Sequence, residues 1–152
     1  MGWWWLVLAG LLLLILLLVF FWRVGRAQGK EAQLARARRD FQFQREHLEA
    51  QFLPAAATTG KPRGLRWKSC EWSDGVVFAR ERQTGLLVAL VGVTIQFEAV
   101  EGSDMEGLPA VGNLRNASAV FYYHQGRWQT GGRVVFNLNP DEALAHFKNQ
   151  WS

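Results

Sequence analysis

The feature that most restricts what this chain can fold into is an uninterrupted apolar segment close to its start. Residues 3–22 read WWWLVLAGLLLLILLLVFFW and contain no charged side chain. A helix of this length spans about 30 Å, the thickness of the hydrocarbon core of a bilayer. Because the core helices of soluble proteins are rarely apolar on every face over such a length, the segment predicts one membrane-spanning helix.

Aromatic side chains stand at both ends of this segment. Indole rings favour the membrane interface, where the ring is half buried and the N–H reaches water or a headgroup. The absence of a basic region before the segment and of a small-residue cleavage site after it favours an anchor over a cleaved signal peptide. We predict two interfacial belts, made of Trp3, Trp4, Trp5, Phe20, Phe21 and Trp22.

Positive charge is concentrated directly after the apolar segment. The formal net charge of the chain is +4, and the excess lies between residues 23 and 40, since the charges elsewhere cancel. A basic cluster beside an apolar span is typical of contact with a membrane surface rather than with nucleic acid. We therefore predict that six side chains contact lipid headgroups: Arg23, Arg26, Lys30, Arg36, Arg38 and Arg39.

The same cluster predicts an orientation. Basic residues near a membrane span favour its cytoplasmic side, and here they follow the span. We expect a single-pass protein of the cell membrane with its C-terminal domain in the cytoplasm. The alternative is an extracytoplasmic domain.

Four segments are predicted along the chain: an anchor over residues 1–25, an amphipathic juxtamembrane helix over 26–54, a linker over 55–64 and a folded domain over 65–152. Pro54 is expected to end the helix. The helix carries an apolar stripe, which has three interpretations: a face packed on the domain's own sheet, a coiled-coil seam, or a face lying on lipid. The stripe consists of Leu34, Ala37, Phe41, Leu48 and Phe52.

From Leu65 onward the apolar residues alternate, which is typical of β-strands. Two strands are predicted before a turn at Thr84-Gly85. The next, over residues 86–100, is apolar on both faces in its first half, which indicates a central strand. A long loop over 101–116 follows.

The end of the chain predicts a hairpin and a helix. Gln125-Gly126 suits a two-residue turn that places Tyr123 opposite Trp128, with a bend at Gly131-Gly132. Asn139 is a good N-cap for a short final helix that begins at Pro140.

This element order predicts an α+β fold: an N-terminal transmembrane helix running into an amphipathic helix, a four- to five-stranded antiparallel meander, and a short C-terminal helix. The order over residues 30–150 resembles that of cystatin-like and nuclear-transport-factor-like folds, and the whole chain resembles small single-pass bacterial membrane proteins. A nuclear-transport-factor-like cone would imply a pocket.

The sequence offers few groups for chemistry. Cys70 is the only cysteine, which excludes an internal disulfide and a CxxC metal site. The three histidines lack metal-ligand spacing, and a Cys70–His124 dyad is disfavoured. We therefore expect no catalytic residue, no metal site and no cofactor.

One loop and one residue class remain as candidates for binding. The loop carries Glu101, Asp104 and Glu106, and loops of this length often hold function, so we predict a possible contact site there. The domain is also rich in Trp and Tyr, which either fill its core or form a binding platform.

These observations favour a membrane-tethered, non-enzymatic interaction or sensing module. One alternative is a small-ligand-binding domain on a membrane anchor. Another is a pilin-like assembly subunit. Such subunits usually carry Glu at the fifth position after a short basic leader, and even if Gly2 ended a leader, Val7 would stand there, which disfavours this alternative. The expected partners are the lipid bilayer and a protein partner or a second copy of the chain, and no nucleic acid.

Overall fold

The computed structural model describes residues 2–59 and 63–152, without the side chains of 24–28 and 30. It confirms the predicted α+β class. The elements in chain order are α1 (Trp3–Thr59), β1 (Leu65–Arg80), β2 (Leu87–Ala99), a 3-10 helix (Pro109–Gly112), β3 (Arg115–His124), β4 (Arg127–Gln129), β5 (Val134–Phe136) and α2 (Pro140–His146).

The chain forms two compact units, residues 1–39 and residues 40–152. The first unit contains the apolar segment, which is helical over Trp3–Arg23 and has none of its residues buried. This helix is apolar enough and long enough, at 21 residues, to cross a membrane. All six predicted belt residues are exposed along it.

The second unit begins within α1, and here the sequence prediction needs correction. The helix continues past Pro54 to Thr59, so the predicted linker is wrong for residues 55–59, while residues 60–62 lie outside the described part of the chain. A proline removes one hydrogen-bond donor from a helix. Phe52 and Ala56 on either side of Pro54 are fully buried, and this packing keeps the segment helical.

The sheet is antiparallel, with the order β1-β2-β3-β4 and with β5 also paired to β3. The prediction of two strands before Thr84-Gly85 is wrong, because β1 is one long strand paired to β2 along its length. The register of the pairing shifts between Trp67 and Ser69 and between Trp72 and Val76. These irregularities accommodate the residues at which the alternation of apolar and polar side chains is interrupted.

Strand β2 is an interior strand with a neighbour on each side, as its sequence predicts. It is buried on both faces from Leu87 to Val93. Each face of the sheet is covered by a helix from this unit, so neither face of β2 meets water along that stretch.

The first face packs against α1 through aromatic rings. The ring of Phe41 lies 4.9 Å from Trp128 and 5.5 Å from Phe121, and that of Phe52 lies 5.3 Å from Trp72. Edge-on and tilted ring pairs of this kind contribute about 0.5–1.5 kcal/mol each beyond the area that they bury. The apolar stripe of α1 therefore packs on the domain's own sheet over residues 41–52. Of the Trp and Tyr side chains of this unit, Trp128 and Trp151 are buried in the core and the others are partly exposed.

The second face packs against α2 and the turn after it. Val88, Leu90 and Val120 form one buried cluster with Ala143 and Trp151. The predicted helix start is confirmed, because Asn139 forms a capping box with Glu142. The chain then returns to the edge of β1, where Arg80 N–H donates to Ser152 O at 2.8 Å.

The predicted hairpin register is confirmed. Gln125 and Gly126 both have positive φ, 51° and 77°, as a tight two-residue turn requires. Tyr123 pairs with Trp128, and their ring centroids are 5.1 Å apart. Pairing stops after Gln129, and the chain bends at Gly131-Gly132 before β5.

This bend passes close to the backbone of α1. Gly132 has φ 72°, and a Cβ atom there would overlap the backbone of Ala55 and Ala56. Gly131 has open space around it. Only a residue without a side chain lets the sheet approach the helix at this point.

We predict that Gly132→Ala destabilises the folded unit by about 2–4 kcal/mol, because it adds both backbone strain and steric overlap. Gly131→Ala is the matched control and should change stability by less than about 0.5 kcal/mol. Denaturant unfolding of both variants, followed by tryptophan fluorescence, measures the difference. Equal stability of the two variants would contradict the close approach.

Candidate functional site

A cavity of about 400 Å³ lies at the end of the sheet where β1 begins and β2 ends. Its volume falls in the range of about 300–1,000 Å³ that is usual for small-molecule sites. Strand residues and residues of the 101–114 loop both contribute to its wall. The lining residues are Leu65, Phe97, Met105, Leu108, Ala110, Val111, Arg115 and Phe136.

The strand register explains why the strand residues of the cavity wall lie close together on one side of the sheet. Side chains at paired positions point to the same side of a sheet, and every second residue along a strand shares that side. Phe97 lies two positions from Ile95, which pairs with Arg115. Phe136 pairs with Ala117, two positions from Arg115. The rings of Phe97 and Phe136 accordingly lie 6.2 Å apart.

The loop is fixed to the sheet near both of its ends. Val100 N–H donates to Gly64 O at 2.9 Å, and the Ser103 hydroxyl donates to the same oxygen at 3.1 Å. Near the other end, Gln96 Nε2 donates to Gly112 O at 3.0 Å. These bonds hold the 3-10 helix over the cavity, with Val111 buried.

The edge of the cavity is apolar and accessible. Leu108 lines the cavity and is 50% exposed. Leu114, on the same loop, is 66% exposed and does not line the cavity. An apolar side chain shared between a cavity and solvent gives a small apolar molecule a surface to contact on entry.

Arg115 is the one charged residue in the cavity wall. Its Nε atom is buried and has no hydrogen-bond partner in the described part of the chain, where no carboxylate lies within ion-pair distance either. A buried donor left without an acceptor costs about 1–3 kcal/mol. Trp67, whose ring packs 5.2 Å from Phe97, has a second such atom in Nε1. Trp67 does not line the cavity, so the wall itself combines apolar surface with one positively charged side chain.

The predicted contact residues of the loop lie outside this arrangement. Glu101, Asp104 and Glu106 are exposed, and Glu106 accepts a hydrogen bond from Gly102 N–H at 2.7 Å. Their role in contacts stays a prediction. Within the described residues, no group of three or more His, Cys, Asp or Glu side chains could hold a metal ion.

The sequence prediction missed the residues of this loop that do line the cavity. Met105, Leu108 and Val111 are spaced three apart within a loop of glycines and polar residues. That spacing suits a turn or short helix with one apolar side. This spacing is the feature of the sequence from which these lining residues could have been predicted.

The predicted headgroup contacts stay predictions. Arg23, Arg36, Arg38 and Arg39 have exposed side chains. The side chains of Arg26 and Lys30 lie outside the description. Exposure on a helix that continues from the apolar segment suits contact with lipid headgroups.

The Cys70–His124 dyad does not form. Cys70 pairs with Ile95 and thus lies level with Arg115, at the opposite end of β3 from His124. Burial, and then the negative charge of Glu49, raise the pKa of the Cys70 thiol to about 12. The reactive thiolate is therefore scarce at neutral pH.

We predict that iodoacetamide alkylates Cys70 more than about 100-fold more slowly than free cysteine at pH 8, because its pKa lies far above the ordinary value of about 8.5. The rate should keep rising up to pH 10, whereas that of free cysteine levels off. Glu49→Gln should increase the rate by removing the negative charge. A rate that reaches a plateau below pH 10 would contradict the raised pKa.

Comparison of the chain with protein-family models, with curated proteins and with solved structures finds no match in any of the three.

Proposed function

We propose that this chain is a single-pass membrane protein whose folded unit binds a small apolar or amphipathic molecule. The cavity between the sheet end and the 101–114 loop is the observation that carries the proposal. Seven of its eight lining residues are apolar and the eighth is arginine. Such a wall suits binding through burial, with one polar group to fix the orientation of the ligand. Ligand binding would be the sensing step of a membrane-tethered module.

The helical segment Trp3–Arg23 supports the membrane part of the proposal. Its large apolar side chains are all exposed, and water would meet an apolar surface on every side of this helix. Insertion into a bilayer removes this apolar surface from water, which stabilises the inserted helix by about 25 cal/mol for each Å² of apolar surface buried. The belts of Trp and Phe residues would lie at the two interfaces.

The basic residues after the apolar segment support a cytoplasmic folded unit. Arg23 directly follows the predicted belt, and further basic residues continue to Arg39. Basic residues beside a membrane span are preferentially kept in the cytoplasm, so a folded unit that follows them would lie on the cytoplasmic side. Contact of the folded unit with a protein partner or with a second copy of the chain also stays a prediction.

We predict that the full chain with a C-terminal epitope tag stays in the membrane pellet after a carbonate wash, because the apolar segment spans the bilayer. In intact cells the tag should resist external protease. Deletion of residues 1–25 should release the protein into the soluble fraction. Immunoblotting of the fractions measures both properties.

A truncated, folded protein that still pellets after the wash would contradict the single anchor. Cleavage of the tag from outside would contradict the cytoplasmic orientation and leave the anchor standing.

For the cavity, we predict that 1-octanol shifts the NMR signal of the Met105 methyl group saturably. The chain contains only two methionines, Met1 and Met105, so ¹³C-methyl labelling of the full chain in nanodiscs gives a simple spectrum. Leu108→Asn should weaken octanol binding about three- to tenfold, since it removes apolar contact worth about 1 kcal/mol.

Leu114→Asn is the matched control, because Leu114 lies on the same loop and outside the cavity wall. It should leave octanol binding unchanged. If octanol never shifts the Met105 signal, or if both variants weaken binding equally, the proposed binding site is wrong.

A further inference from the structure

We infer that the cavity selects a single-chain amphipathic anion, whose charged group contacts the Arg115 guanidinium and whose chain packs on the apolar wall. This inference rests on the proposed function, because it names the chemical class that the same cavity would bind. Its evidence comes from the charge of the wall, from the hydrogen-bonding geometry of a guanidinium and from the size of the cavity.

The charge of the wall favours an anion. The guanidinium of Arg115 brings a positive charge into the wall. Among the described residues no carboxylate neutralises it, and the acidic residues of the loop, such as Asp104 and Glu106, are exposed and outside the cavity wall. An anionic ligand would supply the missing counter-charge within a mostly apolar surface, where charge-assisted hydrogen bonds are strong.

The hydrogen-bonding geometry of a guanidinium points to the same class. The Nε atom of Arg115 is buried, so a ligand in the cavity would contact the guanidinium through its terminal nitrogens. A carboxylate or a phosphate group presents several acceptor oxygens and can accept two parallel bonds from one guanidinium. A cationic ligand would be repelled by the guanidinium.

The size and lining limit the rest of the ligand. A volume of about 400 Å³ holds roughly a dozen non-hydrogen atoms at about 30 Å³ each. The remaining wall offers aromatic and aliphatic side chains, with Phe97 and Phe136 on the sheet side and Met105, Leu108 and Val111 on the loop side. A single unbranched chain of about eight carbons with one anionic end therefore fits.

Two sources could supply this chemistry: a free carboxylic acid and a lipid-derived phosphate. Both present an anionic head on an apolar chain. Octanoate represents the first source and octyl phosphate the second. Uncharged 1-octanol, with the same chain length, separates the contribution of the charge from that of the chain.

The test titrates each probe into the ¹³C-methyl-methionine-labelled full chain in zwitterionic nanodiscs and follows the Met105 signal. The Met1 signal, which precedes the apolar segment, reports any partition of the probe into lipid. We expect octanoate or octyl phosphate to bind at least tenfold more tightly than 1-octanol. The tighter of the two anions identifies the source.

Arg115→Gln should weaken binding of the preferred anion at least tenfold, and by a larger factor than it weakens binding of octanol. Arg127→Gln is the matched control, because it removes the same charge from the exposed first residue of β4, which pairs with His124 at the other end of β3. It should leave both affinities unchanged. The comparison of anion with alcohol on the unsubstituted chain does not depend on the folding of either variant.

The outcomes separate this inference from the proposed function. Equal affinities for anion and alcohol, or equal effects of Arg115→Gln and Arg127→Gln, would overturn the inference and leave a binding cavity. Saturable binding of octanol with no binding of either anion would do the same. If no probe shifts the Met105 signal, both the inference and the proposed function fail.

Discussion

The packing of α1 against one face of the sheet is the interaction on which the rest of the folded unit depends. Phe41 and Phe52 place their rings between those of the sheet, and Gly132 allows the backbones to approach closely. Without this cover, one of the two apolar faces of β2 would be exposed to water. The same packing keeps α1 helical beyond Pro54, since the burial of neighbouring residues offsets the missing hydrogen bond.

The cavity is a consequence of where this helical cover ends. Helix α1, described as far as Thr59, contributes no residue to the cavity wall, whereas the sheet contributes residues such as Leu65 and Phe97. The 101–114 loop covers this last part of the sheet, but a loop fixed near its ends by hydrogen bonds does not fill space as closely as a packed helix. The result is an apolar space in a small protein, with an arginine at the start of β3 in its wall.

Elements with strong local signals could be predicted from the sequence. The alternation in β2, the Gln125-Gly126 turn and the Asn139 cap each depend on neighbouring residues, and the structure confirms all three. The end of α1 and the continuity of β1 could not be predicted, because they depend on packing and pairing with distant residues. The site was missed for the same reason: residues from β1, β2, β3, β5 and the loop come together only through the sheet register.

The single cysteine has a consequence for where such a unit can fold. A chain with one cysteine forms no internal disulfide, so its native state needs no oxidant. Its thiol lies within β1 with a raised pKa, which slows exchange with glutathione and with other proteins. The folding of this unit is therefore indifferent to redox potential, and it would reach the same structure on either side of a membrane.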